Sequence, residues 1–322
     1  ATLATIGQDL TGYTPDADVL LLWSNPSRYA LQFSPPFTTG GHPDPAAFER
    51  IFDTYYGGVI DSGRQARVMH LEQATALGAA EVARQFPVMV AAGLYVTTDD
   101  ELAFLRDYAE NGGHLVLGVR TGYADAEGRA RVEVAPPGLT GPAGVRYEEF
   151  SNLEQPLAIR ATGDLTLAAG ASALAWVDGL VPDGAQVLAG YDHPRFGDFA
   201  AVVTNPSGTG RVTTVGCLPD RALAADLMRW AAPPAVADAL AHEVPASVSV
   251  ASGTNADGRR VWFAFNWGWA EQSLTLACDV REPGGDHLEA GAAVVLGPWG
   301  CRVLMAASDS GAPRDPIARG GA

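Results

Sequence analysis

Six histidines, three cysteines and 37 acidic residues are the stock from which this 322-residue chain would build a reactive centre. General acid–base chemistry needs two carboxyl groups that face one another. Glu148 and Glu149 are adjacent, so on a strand they point to opposite faces. Asp99, Asp100 and Glu101 follow Thr98 in the pattern of a capping box, with acids in the positive first turn of a helix. Glu271 and Asp279 stand in a strand-rich region without a visible partner. A nucleophilic thiol needs a tight strand-to-helix turn and a base within reach. The turn after the apolar run at Val88–Ala92 reads Ala92-Gly93-Leu94-Tyr95, with neither Cys nor Ser at the elbow. Cys217 follows a strand but is itself followed by Leu218-Pro219, the setting of a core thiol. The sequence has no GxSxG, and Gly208-x-Gly210 lacks the third glycine of a dinucleotide fingerprint. Cys217, Cys278 and Cys301 form no CxxC; Cys278 and Cys301 could pair if their strands are neighbours, and buried free thiols are the favoured reading. Histidines at 42, 70, 114, 193, 242 and 287 have no ligand spacing, so neither a metal nor another cofactor is expected.

The elements that must position these side chains alternate strand and helix in the first half. Val19–Trp23 is a continuous apolar run, as in a strand covered on both faces. Asp44-Pro45 supplies a cap and a first-turn proline. Phe48, Ile51, Phe52, Tyr55, Val59 and Ile60 then recur at helical spacing until Gly63. Strands follow at Arg67–Leu71, Val88–Ala92 and His114–Val119, with helices at Gln73–Arg84 and after Thr98. This βαβ repetition predicts an α/β fold with a doubly wound, mostly parallel sheet. After Gly122 the texture becomes rich in Gly, Pro and Ala. Strands are expected at Val187–Tyr191, Phe199–Thr204 and Arg211–Val215, with a turn at Asn205–Gly208, and a helix capped by Asp220 over Leu223–Ala231. Pro233-Pro234 breaks the chain. Beyond it, short strands between turn signals predict a small antiparallel β-domain. The expected boundaries are a linker remnant over 1–17, the α/β domain over 18–232, the β-domain over 233–307 and a disordered tail over 308–322.

Bulk properties exclude whole classes of partner. Net charge is −16, and all 21 basic residues are Arg. Nucleic acid and anionic membrane both require a positive footprint. No apolar run approaches the ~20 residues of a membrane span, and no secretory signal is visible at the N-terminus, so a cytoplasmic location is expected. A chain of this length buries a core without disulfide or metal staples.

Several ordered blocks together carry a family resemblance. They are NPSRYALQF, FERIFDTYYGGVIDSG, the run from Phe86 through Asp125, GVRYEEFSN, GRVTTVGCLPDRALAADLMRW and DGRRVWFAFNW. Residues 18–306 so read resemble the C-terminal part of a glycoside hydrolase family 42 β-galactosidase. The resemblance implies an α/β domain of amidotransferase-like fold that mediates homotrimer formation, followed by a small β-domain. It also implies that both catalytic glutamates of the retaining reaction belong to a (β/α)8 barrel. No position of this sequence matches those glutamates, and too few β/α units occur here to form a barrel. The implied job is non-catalytic: trimer assembly and support of a barrel through which alone a galactoside is reached. The alternative is a free-standing carbohydrate-binding module derived from such an enzyme.

Two aromatic features fit these readings. Trp23, Asn25, Arg28, Tyr29, Phe33 and Phe37 in and before the segment Ser24–Gly41 are candidates for an interface or active-site wall, because Arg and exposed aromatics are enriched at interfaces. An ordinary covered loop is the other reading. Trp267 and Trp269 in NWGW, two residues apart, read either as a sugar-stacking platform or as local packing.

Overall fold

The structure, a computed structural model, describes residues 6–234 and 239–307. The tail expected to be disordered, 308–322, lies outside the described residues, as does 1–5. Two compact units form: one from Asp18–Ser62 and Ala66–Pro233, the other from the described parts of Ala1–Ala17, Gly63–Gln65 and Pro234–Ala322.

In the larger unit, strand β1 (Val19–Trp23) leads into helix α1 (Asn25–Phe33) and helix α2 (Ala47–Asp61). Strand β2 (Ala66–His70), helices α3 (Leu71–Leu77) and α4 (Ala79–Gln85), strand β3 (Val88–Ala91), helix α5 (Asp99–Glu110) and strand β4 (His114–Leu117) follow. Further strands are β5 (Val145–Asn152), β6 (Leu157–Ala161), β7 (Ser172–Pro182), β8 (Gln186–Tyr191), β9 (Ala200–Ser207), β10 (Gly210–Val215) and β11 (Cys217–Pro219). One-turn helix α6 (Thr140–Ala143) precedes β5, and helix α7 (Arg221–Ala231) closes the unit.

The sheet runs β11-β7-β6-β8-β9-β10-β4-β3-β1-β2, with β5 paired to β7. Strands β10, β4, β3, β1 and β2 are parallel, whereas β7 to β10 pair antiparallel with their other neighbours. The sheet is therefore mixed, with its parallel half built by the βαβ repeats. Strands β1 and β3 are buried almost throughout, which is why they read as unbroken apolar runs.

Local deviations from the sequence reading have simple causes. The single helix expected over Gln73–Arg84 is two helices, because Gly78 takes a φ of 85° and breaks the ladder. The Ser24–Gly41 segment is not an irregular loop. Ser24 Oγ accepts the Ser27 N–H at 3.2 Å and starts helix α1, with Pro26 in the first turn. Around Thr98 the capping box forms: Glu101 N–H donates to Thr98 Oγ1 at 3.1 Å, and Thr98 N–H donates to Glu101 Oε2 at 2.7 Å.

Helices α2 and α7 cross closely at Gly58. A Cβ there would stand 2.6 Å from Ala224 Cβ and 2.7 Å from the Ala224 carbonyl carbon. Gly58→Ala in a helix interior gains about 0.5–1 kcal/mol in backbone propensity, but forcing two backbones apart costs about 1–3 kcal/mol. The second effect wins, since part of the obstruction is backbone. Urea denaturation is expected to show a net loss; a midpoint at or above that of the parent chain would refute the close crossing.

In the smaller unit, Val248–Thr254, Arg260–Asn266 and Cys301–Ala306 pair antiparallel. Residues expected as a linker remnant contribute here: Thr14–Pro15 pairs with the edge of Val248–Thr254, and Asp16 forms an ion pair with Arg260. Leu240, Trp262, Leu276, Val280, Val294 and Leu304 form one core cluster. No helix among the described residues is long and apolar enough to cross a membrane.

Candidate functional site

In open α/β sheets the loops beyond the carboxyl ends of parallel strands are where ligands and partners are met. Here that edge is formed by residues after Trp23, His70, Ala91 and Leu117. Ser27, fully buried, ties two of these loops together: its Oγ accepts the Val96 N–H at 3.0 Å and donates to Val96 O at 3.2 Å. Arg131 holds the next loop by donating to Thr97 O at 2.7 Å and Asp99 Oδ1 at 2.6 Å.

A crevice of about 340 Å³ opens along this edge, lined among others by Trp23, Asn25, His70, Glu72, Thr98 and Glu101. Most of its polar groups are already committed to local structure. The Ser24 and Thr98 hydroxyls cap helices, Glu101 completes the capping box, and the Asn25 side-chain oxygen accepts the Trp23 indole N–H at 2.9 Å. The Trp23 ring stands edge-on to Phe48 and Phe52, at 4.9 and 5.0 Å.

The six residues proposed for an interface or wall divide. Tyr29 and Phe33, on helix α1, are 59% and 93% exposed. Asn25 is exposed and Trp23 half-buried. Arg28 donates to Glu49 at 2.5 Å and lies over the Tyr29 ring. Phe37 differs: it is buried in the core, with the Arg50 guanidinium over its ring. An aromatic residue in that segment is read equally well as core, and helix α2 supplies the cover.

Beside this row, beyond β4, lies a cluster that sequence reasoning missed. The Arg120 guanidinium stands over three aromatic rings, Tyr95 and Tyr123 at 5.2 Å and Trp176 at 5.0 Å. Such stacking orients the plane of a guanidinium. The Trp176 indole N–H donates to Asp178 Oδ1 at 3.0 Å, and Phe150 stacks on Trp176 at 4.8 Å. Asp178 is fully buried; its Oδ2 has no hydrogen-bond partner, nor does Arg120 Nε. Burial pushes the Asp178 carboxyl up to about 7, with the Trp176 hydrogen bond and Arg120 opposing that rise.

Backbone strain is concentrated at the same place. Arg120 has a φ of 60° and Ala175 a φ of 51°, conformations that cost non-glycine residues about 1–3 kcal/mol each. Ala175 sits in the register shift of β7 between Leu174 and Val177, a bulge that aims Trp176. One signal was legible beforehand: in ALAWVDGLV, Trp176 and Asp178 share a strand face within an apolar run, and a carboxylate buried there requires a partner.

The remaining candidates for chemistry have structural surroundings. Cys217 is buried, and burial beside Asp178 drives its thiol far above the usual range. Glu148 is paired with Arg146 at 2.6 Å, and Asp279 Oδ1 accepts the Ala290 N–H. Among the described residues no group of His, Cys, Asp or Glu is arranged to hold a metal ion.

In the smaller unit, Phe263, Phe265 and Trp267 form a stacked ladder that meets Trp299, which in turn meets Trp269 at 5.4 Å. Trp267, Trp269 and Trp299 are 57%, 84% and 55% exposed. The Trp267 indole donates to Ser249 Oγ at 2.7 Å, so its ring position is fixed.

Comparison with known proteins then connects these features to a family. Residues 37–236 match the family model described as the β-galactosidase trimerisation domain, and residues 248–306 match that of the β-galactosidase C-terminal domain. The chain is 32% identical over 226 residues to the β-galactosidase Bga of Halorubrum lacusprofundi, covering 66% of this chain and 30% of that protein. It is 29% identical over 171 residues to BgaH of Haloferax lucentense, covering 53% and 24%. It thus spans less than a third of either relative. The fold matches the crystal structure of a β-galactosidase from Bacillus circulans sp. alkalophilus with a TM-score of 0.78 at 18% identity, covering 95% of this chain and 43% of that one. The β-galactosidase from the Antarctic haloarchaeon Halorubrum lacusprofundi gives 0.66 at 24% identity, covering 94% and 41%.

Proposed function

The chain belongs to the glycoside hydrolase family 42 β-galactosidases, and from that premise we propose that it serves as their assembly portion. In this reading the α/β unit brings three copies together, and the β-unit supports the barrel of the parent enzyme. The parent activity is retaining hydrolysis of terminal β-D-galactosides, and the barrel supplies its carboxylates. The observation that carries the reading is the character of the carboxyl edge. Its hydroxyls and its capping carboxylate are spent on helix caps, and what it offers outward are Tyr29 and Phe33, with the half-buried Arg120 of the aromatic cluster beyond β4. Those are the residue types that anchor protein interfaces. We further propose a cytoplasmic location, in keeping with three unpaired cysteines.

The test is an assay of the purified chain with nitrophenyl β-galactoside. No turnover above the buffer rate is expected. Turnover that survives purification and is lost on changing a residue of this chain would overturn the reading.

A second reading, a carbohydrate-binding module, is favoured by one observation: the three exposed indoles around Trp299. Calorimetry with galactose and short galactans separates the two. The assembly reading expects no saturable heat. Saturable binding lost in Trp269→Ala would favour the module.

A further inference from the structure

The chain is acid-rich, with 37 Asp and Glu against 21 Arg, yet the charge of Arg120 acts on the buried Asp178 carboxyl without a direct bond between them. No ion pair joins it to a described residue, its Nε is buried without a partner, and Asp178 leaves its own Oδ2 unpartnered beside the same rings. Three aromatic faces fix the guanidinium plane while leaving its outer edge without an acceptor. Two left-handed residues, Arg120 and Ala175, are maintained to build this arrangement. Exposed apolar side chains occur on the chain segments that carry or adjoin the cluster. Phe150 is 58% exposed while stacked on Trp176; Val134 and Val132 are 56% and 99% exposed. The Tyr147 N–H donates to Ala135 O at 3.0 Å and ties the segment carrying these valines to strand β5. An oriented Arg on aromatic supports, with an exposed Phe150 stacked on one of them, is the anatomy of an interface hot spot.

We propose that this patch is a contact between copies of the chain, in which Arg120 receives a carboxylate side chain from a second copy. The inference rests on the assembly reading and gives it a residue. Charge complementarity selects the occupant: each copy carries a net charge of −16 and so presents carboxylates widely. Copies of so acidic a chain repel one another at long range, and a preoriented cation is the group that offsets this locally. The fork of Arg120 donates two parallel hydrogen bonds to one carboxylate. Because the rings already hold it, little side-chain freedom is lost on binding.

The experiment is sedimentation equilibrium on the full chain and its variants, with far-UV circular dichroism as the check on folding. Arg120→Ala is expected to weaken association at least tenfold. Arg120→Lys keeps the charge but not the fork, and should remain several-fold weaker than the parent chain. Phe150→Asp leaves the Trp176–Asp178 hydrogen bond in place and should weaken association comparably, so the inference does not depend on Arg120→Ala folding. If the parent chain associates and folded Arg120 and Phe150 variants associate equally well, the contact is wrong and the assembly reading stands. A parent chain that stays monomeric at all concentrations overturns both. Association that appears only when the parent enzyme's barrel is added in trans, and is lost in Arg120→Ala, assigns the patch to the barrel and overturns the contact between copies.

Discussion

Asp178→Asn is expected to stabilise the α/β unit at pH 7 and above by a few kcal/mol, and to leave its stability near pH 4 unchanged. The carboxyl is fully buried, and burial raises its folded pKa from 3.8 to about 7. The folded state therefore binds more protons than the unfolded state between those values. Stability from this group is present below the unfolded pKa and is lost as pH rises through about 7, at about 1.4 kcal/mol per pH unit at most. Asparagine keeps an acceptor for the Trp176 indole and removes the titration.

A second, half-buried group works in the opposite direction over part of the same range. Burial, aided by the nearby Arg211, lowers His114 from 6.5 to about 4. Its contribution is present above the unfolded value and lost as pH falls through about 4. Between about pH 4 and 6.5 the slopes from Asp178 and His114 oppose each other, and their joint contribution to the stability profile is nearly flat. In Asp178→Asn the His114 slope is exposed, so stability should rise with pH across that window. Urea titrations of both proteins from pH 4 to 8 read the difference directly. A variant that parallels the parent chain throughout, or is less stable at pH 8, would show that Asp178 is ionised and satisfied in the fold.

The second large effect is at Trp176. It is among the largest fully buried side chains, donates to Asp178 and carries Arg120 on its ring. Trp176→Ala is expected to cost about 3–5 kcal/mol from lost burial and an incompletely collapsed cavity. Loss of the indole donor leaves Asp178 Oδ1 without the partner it now has, which adds to that cost. Trp176→Phe retains most of the apolar area and should fall between the two. Guanidinium or urea midpoints at fixed pH measure the series. A loss under about 1 kcal/mol for Trp176→Ala would contradict the packing described for the cluster.

The parallel half of the sheet was legible because its signals are local. Val19–Trp23 and Val88–Ala91 are unbroken apolar strands, Thr98 and Glu101 form the expected capping box, and Asp220 caps the last helix by accepting the Leu223 N–H. The antiparallel half was read only in part. Strand β7 owes its shape to a left-handed Ala175 and to pairing with residues of β5 and β11 far away in sequence. No periodicity announces such a bulge. The same limit hid the Arg120 cluster, whose members come from four separate stretches and meet only once β4 and β7 are placed. Phe37 shows the converse error. Its residue type fitted an interface, but helix α2 covers it.

The central claim, that this chain assembles rather than reacts, is tested most directly by its mass in solution. Light scattering on the purified chain at micromolar concentration should give three times the chain mass. A chain that scatters as a single copy across the accessible concentration range would contradict the account.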